Sequence, residues 1–114
     1  MKLEQGKTYT YEGLVTGPFK MHKATIDITY NGTDFDVKVD QAGDVITFTA
    51  QVKETVNETV HLITEPFTPP TTSEFTNMVM VCNAQVSDEH ITGVIDIPAY
   101  SVKVTLEGKR TLQS

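Results

Sequence analysis

Apolar residues recur at every second position through most of this chain. In residues 7–15, Tyr9, Tyr11, Gly13 and Val15 share one side, and Thr8, Thr10 and Glu12 share the other. In residues 21–30, Ala24, Ile26, Ile28 and Tyr30 alternate with Lys23, Thr25, Asp27 and Thr29. A strand sends successive side chains to opposite faces, so a period of two predicts half-buried antiparallel strands. The pattern continues in residues 33–39, with Phe35, Val37 and Val39 inward, and in residues 45–53, with Ile46, Phe48, Ala50 and Val52 inward. Residues 56–63 form a less regular fifth strand. Residues 75–86 form a sixth, apolar on both faces through Met78, Val79, Met80, Val81 and Cys82. Two more flank Pro98, with Ile91, Gly93, Ile95 and Ile97 on one face before it and Tyr100, Val102, Val104 and Leu106 on one face after it.

The punctuation between these runs is that of short turns. Gly17-Pro18, Asp40-Gln41-Ala42-Gly43-Asp44 and Ser87-Asp88-Glu89-His90 each separate two alternating segments. Asn31-Gly32 predicts a type I′ hairpin, whose two central residues both need positive φ. Residues 65–73 hold three of the five prolines and form the one long irregular connection. Eight strands with no helical period predict an all-β chain, residues 1–114 forming a single domain. Links of hairpin length favour an antiparallel meander, and an eight-stranded meander removes its edges by closing into a barrel. An internal repeat supports closure. Superposing Gly13 on Gly93 also pairs Pro18 with Pro98, Lys23 with Lys103 and Thr25 with Thr105. The first and last hairpins then become matching ends of one sheet.

The segments Ile91-Thr92-Gly93 and Leu106-Glu107-Gly108-Lys109-Arg110, with Gly17-Pro18-Phe19 and Gly43-Asp44-Val45-Ile46, carry a resemblance. The chain resembles small bacterial lipocalin-like (calycin-type) β-barrel domains over most of its length. The resemblance implies an eight-stranded barrel, and domains of this kind also occur as accessory units beside enzymes. The chain departs from true lipocalins in lacking an N-terminal Gly-x-Trp motif and any tryptophan.

Composition narrows the partners. The net charge is −6, from 15 acidic and 9 basic side chains. A scattered acidic surface without a basic stripe repels nucleic acid and anionic membranes, so neither is expected as a partner. No apolar run is long enough to span a bilayer as a helix, and the charged N-terminus does not read as a signal peptide. One cysteine, Cys82, excludes an internal disulfide. These features together set a cytoplasmic expectation.

Candidate chemistry is sparse. No phosphate-binding loop, nucleophile elbow or zinc-like spacing occurs, so no catalytic residue, metal or cofactor is assigned, and enzymatic activity is not expected. His61 and Cys82 would face one another if their strands paired side by side. Asp34, Asp36, Asp40 and Asp44 lie on straight strands and turns that do not wrap a calcium ion. Two sequons, Asn31-Gly32-Thr33 and Asn57-Glu58-Thr59, are present. The best candidate site is the barrel interior or mouth. Tyr9, Tyr11, Phe48, Met78, Met80 and Tyr100 would line it, tyrosine hydroxyls serving as polar anchors and methionines as adaptable walls for a small apolar ligand. The alternative is a filled structural or interaction domain that pairs with a second copy or serves an enzyme. Val79 and Val81, on a face that should be wet, support that alternative.

Overall fold

A computed structural model describes residues 3–17, 21–66 and 78–110. Eight strands are present: β1 (Thr8–Thr16), β2 (Met21–Tyr30), β3 (Asp34–Gln41), β4 (Asp44–Val56), β5 (Thr59–Thr64), β6 (Val81–Val86), β7 (His90–Ile97) and β8 (Val102–Arg110). Each pairs antiparallel with its neighbours in sequence, and β1 pairs with β8, so the meander closes into a barrel. The expected architecture therefore holds.

The alternation sorts side chains as read. Tyr9, Tyr11, Ala24, Ile26, Ile28, Phe35, Ala50, Ile91 and Ile95 are buried, while Thr10, Lys23 and Asp36 face outward. Tyr11, Phe35, Ile26 and Val60 are the largest fully buried side chains. Burying each is worth ~1.5–3 kcal/mol relative to exposure.

Local structure departs from the sequence pattern in several places. The type I′ arrangement does not form at Asn31-Gly32. Asn31 keeps negative φ, its N–H donates to the Asp34 carbonyl at 2.9 Å, and only Gly32 has positive φ, at 98°. The Asn31 amide is held instead by Asp34 Oδ1 (2.9 Å) and Asp36 Oδ2 (3.0 Å). Ala42 and Gly43, with φ of 55° and 98°, make the turn with two positive-φ residues, closed by the Gln41–Asp44 pair.

The fifth strand begins later than expected. β4 runs on to Val56, and Asn57, at φ 57°, turns the chain into Thr59. A β-bulge between Val52 and Glu54 gives β4 one extra residue against β5, which period-two reading does not register. The sixth strand is shorter than expected. It starts at Val81, and residues 75–77 lie outside the described residues. Cys82 and Ala84 on its inner face are buried, as are Met78 and Met80 just before it, whereas Val79 is half-buried and Val81 is 36% exposed.

Tyr100 does not begin β8. Pro98 opens a single 3₁₀ turn over Pro98–Tyr100, and Ser101, at φ 53°, closes it by donating its N–H to the Pro98 carbonyl. The ladder resumes only at the Ile97–Val102 pair, leaving Tyr100 36% exposed outside the inward row.

The two terminal hairpins lie at the two ends of the sheet and meet there, but their registers differ. Gly13 pairs with Ala24 in the first, whereas Gly93 pairs with Leu106 rather than Val104 in the second. The superposed glycines therefore do different work. Gly13 stands opposite Gly108 across the β1–β8 seam. A Cβ on Gly13 would lie 1.8 Å from the Glu107 carbonyl oxygen and 2.5 Å from Gly108 Cα. No rotamer relieves a clash with backbone. At Gly93 an added Cβ meets its nearest neighbours at 3.5 Å, ordinary contact.

The pair supplies a stability test. Overpacking costs ~1–3 kcal/mol and more where backbone must move. Gly13→Ala is expected at or beyond the top of that range, and Gly93→Ala within about 1 kcal/mol of the parent. Chemical denaturation of both variants measures the difference, and equal losses would contradict the seam geometry.

Candidate functional site

The closed sheet gives every inward side chain the same destination, so the interior is the first place to look. Tyr9 and Tyr11 project inward near the end where the chain enters β1. The Tyr9 hydroxyl accepts the Glu4 N–H at 2.9 Å. The Lys7 ammonium lies 5.2 Å from its ring centroid and the Arg110 guanidinium 4.8 Å. The Tyr11 hydroxyl donates to the Ser87 carbonyl at 2.5 Å, tying β1 to the β6–β7 turn. That turn is further fixed by the Arg110 N–H donating to the Glu89 carbonyl at 2.7 Å. The Tyr30 hydroxyl donates to the Gly32 carbonyl at 2.8 Å. Three of the four tyrosine hydroxyls are thus bonded to the chain's own backbone.

Met78 and Met80 are buried by β5. The Thr64 N–H donates to the Met80 carbonyl at 3.0 Å, and the Met80 N–H donates to Thr64 Oγ1 at 2.9 Å. These bonds account for Thr64, the one buried polar side chain among the described residues, and prolong the β5–β6 pairing past the end of β6. Of the six residues expected to line a site, only Phe48 borders the interior void. Tyr9, Tyr11, Met78 and Met80 are packed elsewhere in the core, and Tyr100 sits on the 3₁₀ turn.

The void itself is about 50 Å³ and is bordered by Ile28, Phe48, Leu62, Cys82, Ile95 and other apolar residues. Drug-sized ligands occupy roughly 300–1,000 Å³. A void of this size and chemistry is dry and takes at most a molecule of a few heavy atoms.

His61 and Cys82 do not meet. The β5–β6 register puts Cys82 opposite Leu62 on the inner face and His61 opposite Asn83 on the outer face, where the imidazole Nδ1 and the Asn83 Oδ1 are hydrogen-bonded. Burial in this apolar wall pushes the Cys82 thiol up to about 12, with the Asp96 charge adding to the shift. A thiol that keeps its proton at neutral pH is a poor nucleophile and a poor metal ligand.

Asp36 and Asp40 are engaged locally. Thr49 donates to Asp36 Oδ1 at 2.9 Å, and Asp40 Oδ1 accepts the Gly43 N–H at 2.9 Å. Among the described residues, no three His, Cys, Asp or Glu side chains converge as metal ligands would. No helix among them is long and apolar enough to cross a membrane.

The site expected from the sequence lies inward, and on the outer wall the sequence singled out only Val79 and Val81. Two open concavities lie there on either side of the β1–β8 seam, with Leu14 bordering both. One spans β5 to β8 and β1 and encloses about 560 Å³; the other lies over β1, β2 and the β3–β4 turn and encloses about 730 Å³. Their signal in the sequence is slight, since it consists of outward threonines and amides that read as ordinary solvated positions. A scan against protein-family models, a search of curated proteins and a search of solved structures each returned no match.

The buried hydroxyl and thiol make stability depend on alkaline pH. Burial is the main cause that raises Tyr11 from 10.0 to about 12, and Cys82 rises from 9.0 to about 12. Both groups are neutral in folded and unfolded chains well below pH 9. Above it the unfolded chain loses protons that the folded chain retains, so stability falls as pH rises toward 12. Melting temperature is therefore expected to drop across pH 9–12 and to drop less steeply in Tyr11→Phe. A parent and variant with the same flat profile would contradict this assignment.

Proposed function

We propose that this chain is a small lipocalin-like (calycin-type) barrel with a filled core that serves as an interaction or structural module acting through its outer surface. The observation that carries the reading is the interior void of about 50 Å³. The residues that would have formed a ligand pocket are used for packing, and the tyrosine hydroxyls that would have anchored a ligand bond to Glu4, Ser87 and Gly32. The closed meander supports the family resemblance in topology. The absence of tryptophan and of a wide interior sets the chain apart from the carriers among lipocalins.

A closed barrel offers no strand edge for pairing, so a partner must engage outward side chains. The partners in keeping with this reading are a second copy of the chain or an enzyme for which it is an accessory unit. Val81, exposed beside the half-buried Ile63 to which it pairs, is an apolar contribution to such a surface.

One observation favours a second reading. The void is bordered by apolar groups alone, and a larger engineered apolar void, of about 150 Å³, holds xenon or benzene. Under it, the barrel takes a small apolar molecule of a few heavy atoms.

Native mass spectrometry of freshly purified protein separates the two. The first reading predicts bare protein masses, 12.6 kDa or multiples of it, with no added mass. A stoichiometric adduct released by mild activation would overturn it in favour of the second.

A further inference from the structure

On the β1–β4 side of the outer wall, several hydroxyl and amide side chains are bonded to neighbouring side chains. Thr8 and Thr29 share a hydrogen bond of 2.7 Å, Thr10 donates to Asp27 at 2.6 Å, Thr49 donates to Asp36, and Asn31 clasps Asp34 and Asp36. On the β5–β8 side the same residue types stand in two cross-strand rows. One row runs Thr59, Gln85, Thr92, Glu107, Leu14 through successive strand pairs. The next runs Asn83, Val94, Thr105, Thr16. Both rows border the concavity of about 560 Å³. Asn83 is bonded to His61. Among the described residues, no side-chain hydrogen bond engages Thr16, Thr59, Gln85, Thr92, Thr105 or Glu107.

The geometry follows from the fold. The first row crosses five strands and the second four. Neighbouring strands are ~4.8 Å apart, so the longer row extends for about 19 Å. The groove therefore has the volume of a small-molecule site and the length of a short oligomeric ligand.

Its chemistry selects the ligand. The wall offers hydroxyls and a carboxamide as both donors and acceptors, one carboxylate as acceptor, and apolar surface from Leu14 and Val94. Among the described residues, no lysine, arginine or aromatic ring borders it. An anion finds a repelling carboxylate and no cation. A flat aromatic ligand finds no stacking partner. A neutral sugar matches each feature, because its hydroxyls both donate and accept and its ring C–H faces are apolar. The larger concavity across the seam lacks this character: it is bordered by Glu12, Lys23 and Asp40, and Asp40 is already bonded to Gly43.

We propose that the outer groove over β5 to β8 and β1 is a binding site for a neutral oligosaccharide, with Thr92, Gln85 and Glu107 as its central polar contacts. This deepens the reading of the chain as a module acting through its outer surface and rests on it. Contacts are exposed and lack an aromatic platform, so exchange is fast and affinity comes from several modest hydrogen bonds.

Amide NMR titration of the full chain tests the site, with cellobiose and N,N′-diacetylchitobiose as neutral probes and glucuronate as the anionic control. The expected result is saturable shifts for amides near Gln85, Thr92 and Glu107 with at least one neutral disaccharide and none with glucuronate. Thr92→Val, which preserves shape and strand preference, and Glu107→Gln are each expected to weaken binding about tenfold without lowering the melting temperature. Unchanged binding in both variants would overturn the assignment. So would the lack of any saturable shift up to the solubility limit of the sugars, an outcome that leaves the outer-surface reading standing. Shifts centred on Ile28, Phe48 and Ile95 would overturn the groove and that reading together.

Discussion

Closure of the sheet between β1 and β8 is the constraint on which the rest depends. An open eight-stranded meander of this length would expose two edges and a half-covered apolar face. Closing it turns every inward side chain toward one axis and leaves no unpaired ladder. At Gly13 the seam has room for backbone only. Gly13 faces Gly108, and the position a Gly13 side chain would occupy is already taken by the Glu107 carbonyl. Sharp bends in barrels commonly fall on glycine for this reason. Tyr11, two residues before Gly13, anchors the same edge to the β6–β7 turn through Ser87. Closure and the sealing of one barrel end are thus set by neighbouring residues.

Closure also decides what the interior does. Tyrosine, phenylalanine and methionine side chains aimed at one axis fill a barrel of eight strands, a size at the boundary between filled interiors and cavities for one small ligand. Among the described residues the apolar interior void is about 50 Å³. On the outer wall two concavities flank the β1–β8 seam, one bordered by threonines, amides and Glu107 and the other by Glu12, Lys23 and Asp40.

The strand pattern and the closed topology were legible because burial on one face imposes strict alternation, and a one-residue slip would turn every side chain over. Most facing assignments, from Tyr9 through Ile97, follow from that alone. Features set by tertiary hydrogen bonds were not legible. Asn31-Gly32 carries the strongest hairpin signal, yet Asp34 and Asp36 capture the Asn31 amide and the turn with two positive-φ residues forms at Ala42-Gly43. The bulge after Val52 adds a residue with no mark in the composition. Tyr100 fits the alternation, but Pro98 nucleates a 3₁₀ turn that removes it. The apparent equivalence of Gly13 and Gly93 reflects shared strand chemistry rather than shared register. The candidate site was the least legible part, because a side chain's inward direction does not say whether the interior has space left, and outward threonines look alike until their partners are known.

Native-state hydrogen exchange at the seam tests the central claim most directly. If closure organises the fold, seam amides of β1 and β8 exchange only through global unfolding, as slowly as those between β2 and β3. Seam amides that exchange far faster than the β2–β3 ladder, in the manner of frayed ends, would show an open sheet and contradict the account.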